Sequence, residues 1–135
     1  MTKLPAPLAL KKFILKQVAE SYPDFKLPPL NTEDEIQDFY SDACSGDFSG
    51  HIQDATQDVR SYGLETSLPA PCSRHYECEV RAIQTDDGWI GYNYWYGGGK
   101  FGNEEEIDFI SDAYHVSCEE KEVLTIQRTW TKVVT

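Results

Sequence analysis

The chain has 135 residues, 40% apolar and 13% aromatic, enough for one folded domain with a core of its own rather than a disordered segment. Twenty-three acids against 12 Lys and Arg leave a formal charge of −11, which repels nucleic acid and anionic membrane and favours a basic partner. No apolar run reaches the length of a membrane span. The first sixteen residues interleave lysines with apolar residues and carry no small-residue cleavage site, so a signal peptide is not expected and the expected compartment is the cytoplasm. Four cysteines are few for a secreted disulfide scaffold, and they are expected reduced.

Residues 1–5 read as a loose terminus. Pro7 suits a first helical turn, and Leu10, Phe13, Ile14 and Val18 give an amphipathic helix that Pro23 stops near Ser21 or Tyr22. Pro28 and Pro29 make the next stretch an extended connector. Thr32 with Glu35 has the form of a capping box and opens a second helix, with Ile36, Phe39, Tyr40 and Ala43 inward and Ser45-Gly46 as its end. A third helix is expected over about 49–62, burying Ile52, Ala55, Val59 and Tyr62, with Gly63 as its stop and Asp54 and Asp58 outward. Between residues 27 and 59 there are eight acids and no Lys or Arg.

Residues 64–73 read as a linker between a helical front half (about 6–63) and a mixed back half (about 73–134) of a single domain, residues 1–135. Tyr76, Cys78, Val80 and Ala82 alternate with Glu77, Glu79 and Arg81, the pattern of a half-buried strand. Asp86-Asp87-Gly88 signals a hairpin into a return strand, 89–96. That strand places Ile90, Tyr92, Tyr94 and Tyr96 on one face and Trp89, Asn93 and Trp95 on the other. The loop Gly97-Gly98-Gly99-Lys100-Phe101-Gly102 leads to Asn103, an N-cap for a helix over 104–114 that buries Ile107, Ile110, Ala113 and Tyr114. A last long strand is expected after residue 122, with Leu124, Ile126 and Trp130 on one face and Thr125, Gln127, Thr129 and Thr131 on the other. The fold class is therefore α+β: a helical N-terminal half packed with a β-β-α-β unit around a small, mainly antiparallel sheet.

Several constellations could carry chemistry. The glycine loop with Lys100 looks like a phosphate cradle, but it lacks the Gly-Lys-Ser/Thr ending of a P-loop, and three glutamates at the helix start repel phosphate. Cys72, His75 and Cys78, with His115 and Cys118, form a set of soft ligands without paired zinc-knuckle spacing. His75 and Cys78 fall on opposite faces of a regular strand. An enzyme built on His75, His115 and a cysteine lacks a visible orienting group. No catalytic set is assigned, and neither a metal nor a cofactor is expected. Trp89, Tyr92, Tyr94 and Trp95 could stack a sugar, or form the core of a small domain.

The acidic rows weigh most. Asp34, Asp38 and Asp42, and likewise Glu104, Asp108 and Asp112, recur every fourth residue, about 6 Å along a helix. Neither row has an i+4 lysine, and like-charge neighbours at that spacing weaken a helix.

The run Trp89-Ile90-Gly91-Tyr92-x-Tyr94-Trp95-Tyr96-Gly97-Gly98-Gly99-Lys100-x-Gly102-x-Glu104, with Ser73-Arg74-His75-Tyr76-Glu77 upstream, resembles small proteins of phages, prophages and plasmids. The resemblance covers roughly residues 73–132 and brings no catalytic residue with it. It implies a mobile-element setting, in which small acidic proteins often inhibit host nucleic-acid machinery. The expected function is a non-enzymatic interaction protein, an inhibitor or nucleic-acid mimic that occupies the basic groove of a nucleic-acid-binding host protein through Asp34, Asp38, Asp42, Glu104, Asp108 and Asp112. The alternative is a small-ligand or carbohydrate-binding module using Trp89, Tyr92, Tyr94 and Trp95.

Overall fold

The computed structural model describes residues 4–99 and 102–133. Lys100 and Phe101 of the glycine loop, and residues 1–3 of the expected loose terminus, lie outside the described residues. The fold is α+β. Helices α1 (Ala6–Ser21), α2 (Glu33–Cys44) and α3 (Ser49–Tyr62) precede strands β1 (Leu64–Glu65), β2 (Glu77–Thr85), β3 (Gly88–Tyr96) and β4 (Tyr114–His115). The sheet is antiparallel throughout, in the order β1-β2-β3-β4.

The three helices lie where their periodicity places them. Thr32 caps α2: its hydroxyl oxygen accepts from the Glu35 backbone N–H at 3.1 Å, and its proton goes to the Glu35 carboxylate at 3.0 Å. α1 is buried on a wide arc (Ala6, Ala9, Leu10, Ile14, Leu15, Val18), because it packs on α2 and α3 and also meets β2, β3 and β4. Leu10, Ile14, Val59, Ile90, Tyr92, Phe109 and Ile110 belong to one hydrophobic cluster, so both halves of the chain share a core.

The register of the hairpin decides which face of the sheet meets the helices. Arg81 stands opposite Tyr92, and Ile83 opposite Ile90. Cross-strand partners share a face, so Glu79, Arg81 and Ile83 lie with Tyr94, Tyr92 and Ile90 on the helical side. Val80 and Ala82 are buried on the far side, opposite Asn93 and Gly91. The charged side of β2 is thus the one that faces α3. It can be, because Arg81 is fully occupied there: its guanidinium bonds the Glu79 carboxylate and the Ser61 carbonyl and lies 3.6 Å over the Tyr94 ring. Arg60 stacks on the same ring at 4.5 Å.

Four expectations need correction. Residues 104–114 form no α-helix; they make a 3-10 turn, Glu104–Glu106, then irregular chain as far as Ala113, and Tyr114 opens β4, exposed rather than buried. The Asp108 carboxylate bonds the backbone N–H groups of Ile110 and Ser111, and such local capture competes with the helical ladder. The linker is partly a strand, since β1 pairs with Ala82 and Arg81 and the Thr66 N–H reaches the Val80 carbonyl. Tyr62 is 70% exposed rather than buried, because α3 turns it away from the sheet. The expected last strand is absent: residues 117–133 are exposed and unpaired with any described strand. An alternating pattern specifies a face, but it becomes a strand only when a neighbour supplies the ladder.

Gly63 does stop α3, yet not through a left-handed backbone. Its φ is −62°, and a Cβ there would lie 2.2 Å from the Tyr92 hydroxyl. That hydroxyl accepts from the Gly63 N–H at 3.1 Å and shares its proton between the carbonyls of Val59 (2.8 Å) and Arg60 (2.9 Å). Burial pushes the Tyr92 phenol up to about 12, which extends to higher pH the range over which it remains a donor. Tyr92→Phe is expected to cost about 1–3 kcal/mol, the cost of leaving buried partners unsatisfied, or several degrees in Tm. Gly63→Ala is expected to destabilise as well, and by less when Phe already stands at position 92. Thermal melts of the two single variants and the double variant check this; a Tyr92→Phe protein that melts with the parent overturns it.

Candidate functional site

The acidic row on α2 is a real ladder. Asp34, Asp38 and Asp42 are exposed, while Ile36 on the inner face is fully buried. The acids of the first turn suit the positive end of the helix dipole. Asp42 does not: it lies in the last turn, where a negative charge is disfavoured and no basic residue offsets it. Among the described residues the ion pairs are Lys16–Asp86 and Arg81–Glu79, so the three aspartates carry unpaired charge. Lys11 reaches α2, but it bonds Gln37 at 2.8 Å and lies over the Tyr40 ring. Asp54 and Asp58 are exposed on α3.

The second row is not a ladder. Glu104 accepts from the Gly98 N–H at 3.1 Å, and Asp108 holds the turn at Ile110 and Ser111. Only Asp112 is left exposed without such a task. Partial burial raises the Asp108 pKa, but the Ser111 hydroxyl and the N–H groups of Ser111 and Ile110 outweigh it and hold the carboxyl below its ordinary value.

Glu104 also settles how the glycine loop is used. Gly97 (φ 72°) and Gly99 (φ 54°) are left-handed, and a Cβ on Gly98 would lie 2.4 Å from the Tyr76 ring. The Gly98 N–H that a phosphate would need is taken by the chain's own carboxylate.

The aromatic set is divided between two faces. Tyr92 is wholly buried, and Tyr94 lies between Arg60 and Arg81 on the helical side. Trp89 and Trp95 stand opposite Gln84 and Cys78 on the far side, so the four rings do not make one platform. The soft ligands are scattered as well. Cys72 and Cys118 are exposed free thiols, and burial pushes the Cys78 thiol up. His115 Nε2 lies 2.6 Å from the Leu4 carbonyl, and its Nδ1 is buried without a hydrogen-bond partner among the described residues. No three His, Cys, Asp or Glu among the described residues are placed to hold a metal ion.

One feature lay outside the sequence reading. On the sheet face away from α1, a groove of about 590 Å³ runs between residues 64–68 and 114–119, floored by Ala82 and Trp89. No sequence pattern marks it, because its walls come from stretches far apart in the chain. Compared with known proteins, the chain matches no family model, no curated protein and no solved structure.

Two outcomes are expected of this region. Gly97→Ala and Gly99→Ala each should cost about 1 kcal/mol or more, since alanine is strained at positive φ, and Gly99→Asn should cost less than Gly99→Ala. Melting of all three with the parent would show that the loop does not hold this geometry. The depressed Asp108 pKa contributes stability that is fully present above the unfolded value of about 3.9 and is lost as pH falls through the folded value. Asp108→Asn should therefore flatten the acid limb of the Tm–pH curve below about pH 4, and an unchanged limb would contradict it.

Proposed function

We propose that this protein is a non-enzymatic interaction protein that presents the α2 carboxylates Asp34, Asp38 and Asp42 to a basic surface of a partner, a surface of the kind that otherwise holds a nucleic-acid backbone. The observation that supports this reading is the unpaired, exposed row itself, held about 6 Å apart by a capped helix. The row has a cost, through like-charge repulsion and an acid at the wrong end of the dipole. Nothing in the core needs it, because α2 docks through Ile36 and the half-buried Phe39, Tyr40 and Ala43 on its other side. The reading rests on α2 rather than on Glu104 and Asp108, whose carboxylates are engaged in shaping their own loop. Inhibition of a nucleic-acid-binding host complex is the biological form this proposal takes. Complementary fields of this kind accelerate association and make it sensitive to salt.

The test is capture of partners from a host lysate by the parent and by a variant carrying Asp34→Lys, Asp38→Lys and Asp42→Lys. The parent is expected to retain a basic nucleic-acid-binding protein that is released by salt and by added duplex DNA. The variant should retain none while melting near the parent. Equal capture by both proteins would remove the α2 row from the function.

A further inference from the structure

The stretch after β4 is where the chain leaves apolar surface unused. The last backbone bond onto the sheet runs from the Val116 N–H to the Trp89 carbonyl. From residue 117 to 133 every residue is exposed, and none hydrogen-bonds or ion-pairs with another described residue. Leu124, Ile126 and Trp130 are 101%, 78% and 86% exposed. In an extended chain, where side chains alternate, these three share one face with Arg128 and Lys132. Residues 123–133 contain no acid, so this is an apolar and basic segment attached to a strongly acidic body.

The groove on the far face of the sheet has the complementary character. Leu64, Leu68, Ala82 and Trp89 supply apolar surface, and Glu65 and Glu119 supply negative charge beside it. The segment lies outside its own groove, exposed along its whole length. Each copy thus carries one unused apolar and basic segment and one unfilled apolar and acidic groove.

We propose that residues 123–133 of one copy lie in the groove of a second copy, and the reverse, giving a two-fold exchanged dimer. Leu124, Ile126 and Trp130 cover Leu64, Leu68, Ala82 and Trp89 of the other copy, while Arg128 and Lys132 meet Glu65 and Glu119. Two-fold exchange satisfies both surfaces at once and leaves no open end on which a filament could grow. These residues are separate from the α2 row, so the dimer stands or falls independently of the proposed function.

The test is sedimentation of the full chain at about 0.15 M ionic strength, where a screening length of about 8 Å suppresses repulsion between the two acidic bodies. The parent is expected to be a dimer. The double variant Leu124→Asp with Ile126→Asp should be a folded monomer whose melting temperature no longer depends on protein concentration. Leu68→Glu should also be a monomer, and the exposed Glu65→Lys serves the same purpose if Leu68→Glu does not fold. A mixture of the segment variant with the groove variant should recover a heterodimer joined by one exchange, because each retains the half the other has lost. A monomeric parent, whether Trp130 is solvent-exposed or folded into its own groove, overturns the proposal. So does a segment variant that stays dimeric, or a mixture that stays monomeric.

Discussion

The structure depends on how the C-terminal end of α3 is closed. The last carbonyls of any helix have no partner within it and must find one elsewhere. Here they find it in the sheet: the Tyr92 hydroxyl serves Val59 and Arg60, and the Arg81 guanidinium serves Ser61. Both donors come from the middle of the hairpin, so the same contacts that finish the helix also set the height and orientation of β2 and β3 against it. Gly63 is the corollary, since only a residue without a Cβ lets the phenol come this close.

This joint explains an arrangement that would otherwise look inverted. A strand with one apolar and one charged side would be expected to turn the apolar side to the helices. In β2 the charged side turns inward, because Arg81 is needed at the helix end and Tyr94 offers its ring as a support for two guanidinium groups. Val80 and Ala82 then fall on the opposite face, outside the main core, and Ala82 with Trp89 floors the groove there. The molecule therefore has apolar surface on both sides of its sheet while its helical layer covers only one.

The three helices were legible because each states its own limits: Pro7 and Pro23 around the first, Thr32 with Glu35 at the second, Gly63 after the third. The hairpin was legible from Asp86-Asp87-Gly88, and in the structure the positive φ falls on Gly88. The α2 row followed directly from the helix. What was not legible depended on contacts distant in sequence or on short side chains bonding their own backbone. Asp108 looks like the middle of an acidic helix face until its carboxylate is seen holding Ile110 and Ser111. Glu104 looks like its first member until it is seen closing the loop at Gly98. Nothing in the alternation of Leu124, Ile126 and Trp130 says whether a ladder partner exists in the same chain.

The placement of Tyr92 also has a consequence for the order in which the molecule can be completed during synthesis. α3 lies wholly before Gly63, and the hydroxyl that finishes it arrives 29 residues later. At about 5–20 residues per second, the ribosome needs roughly 1.5–6 s to make that stretch. Throughout that interval the nascent helices have an open end and an uncovered inner face, and the hairpin is what closes both. The helical half is thus made before the hairpin that secures it.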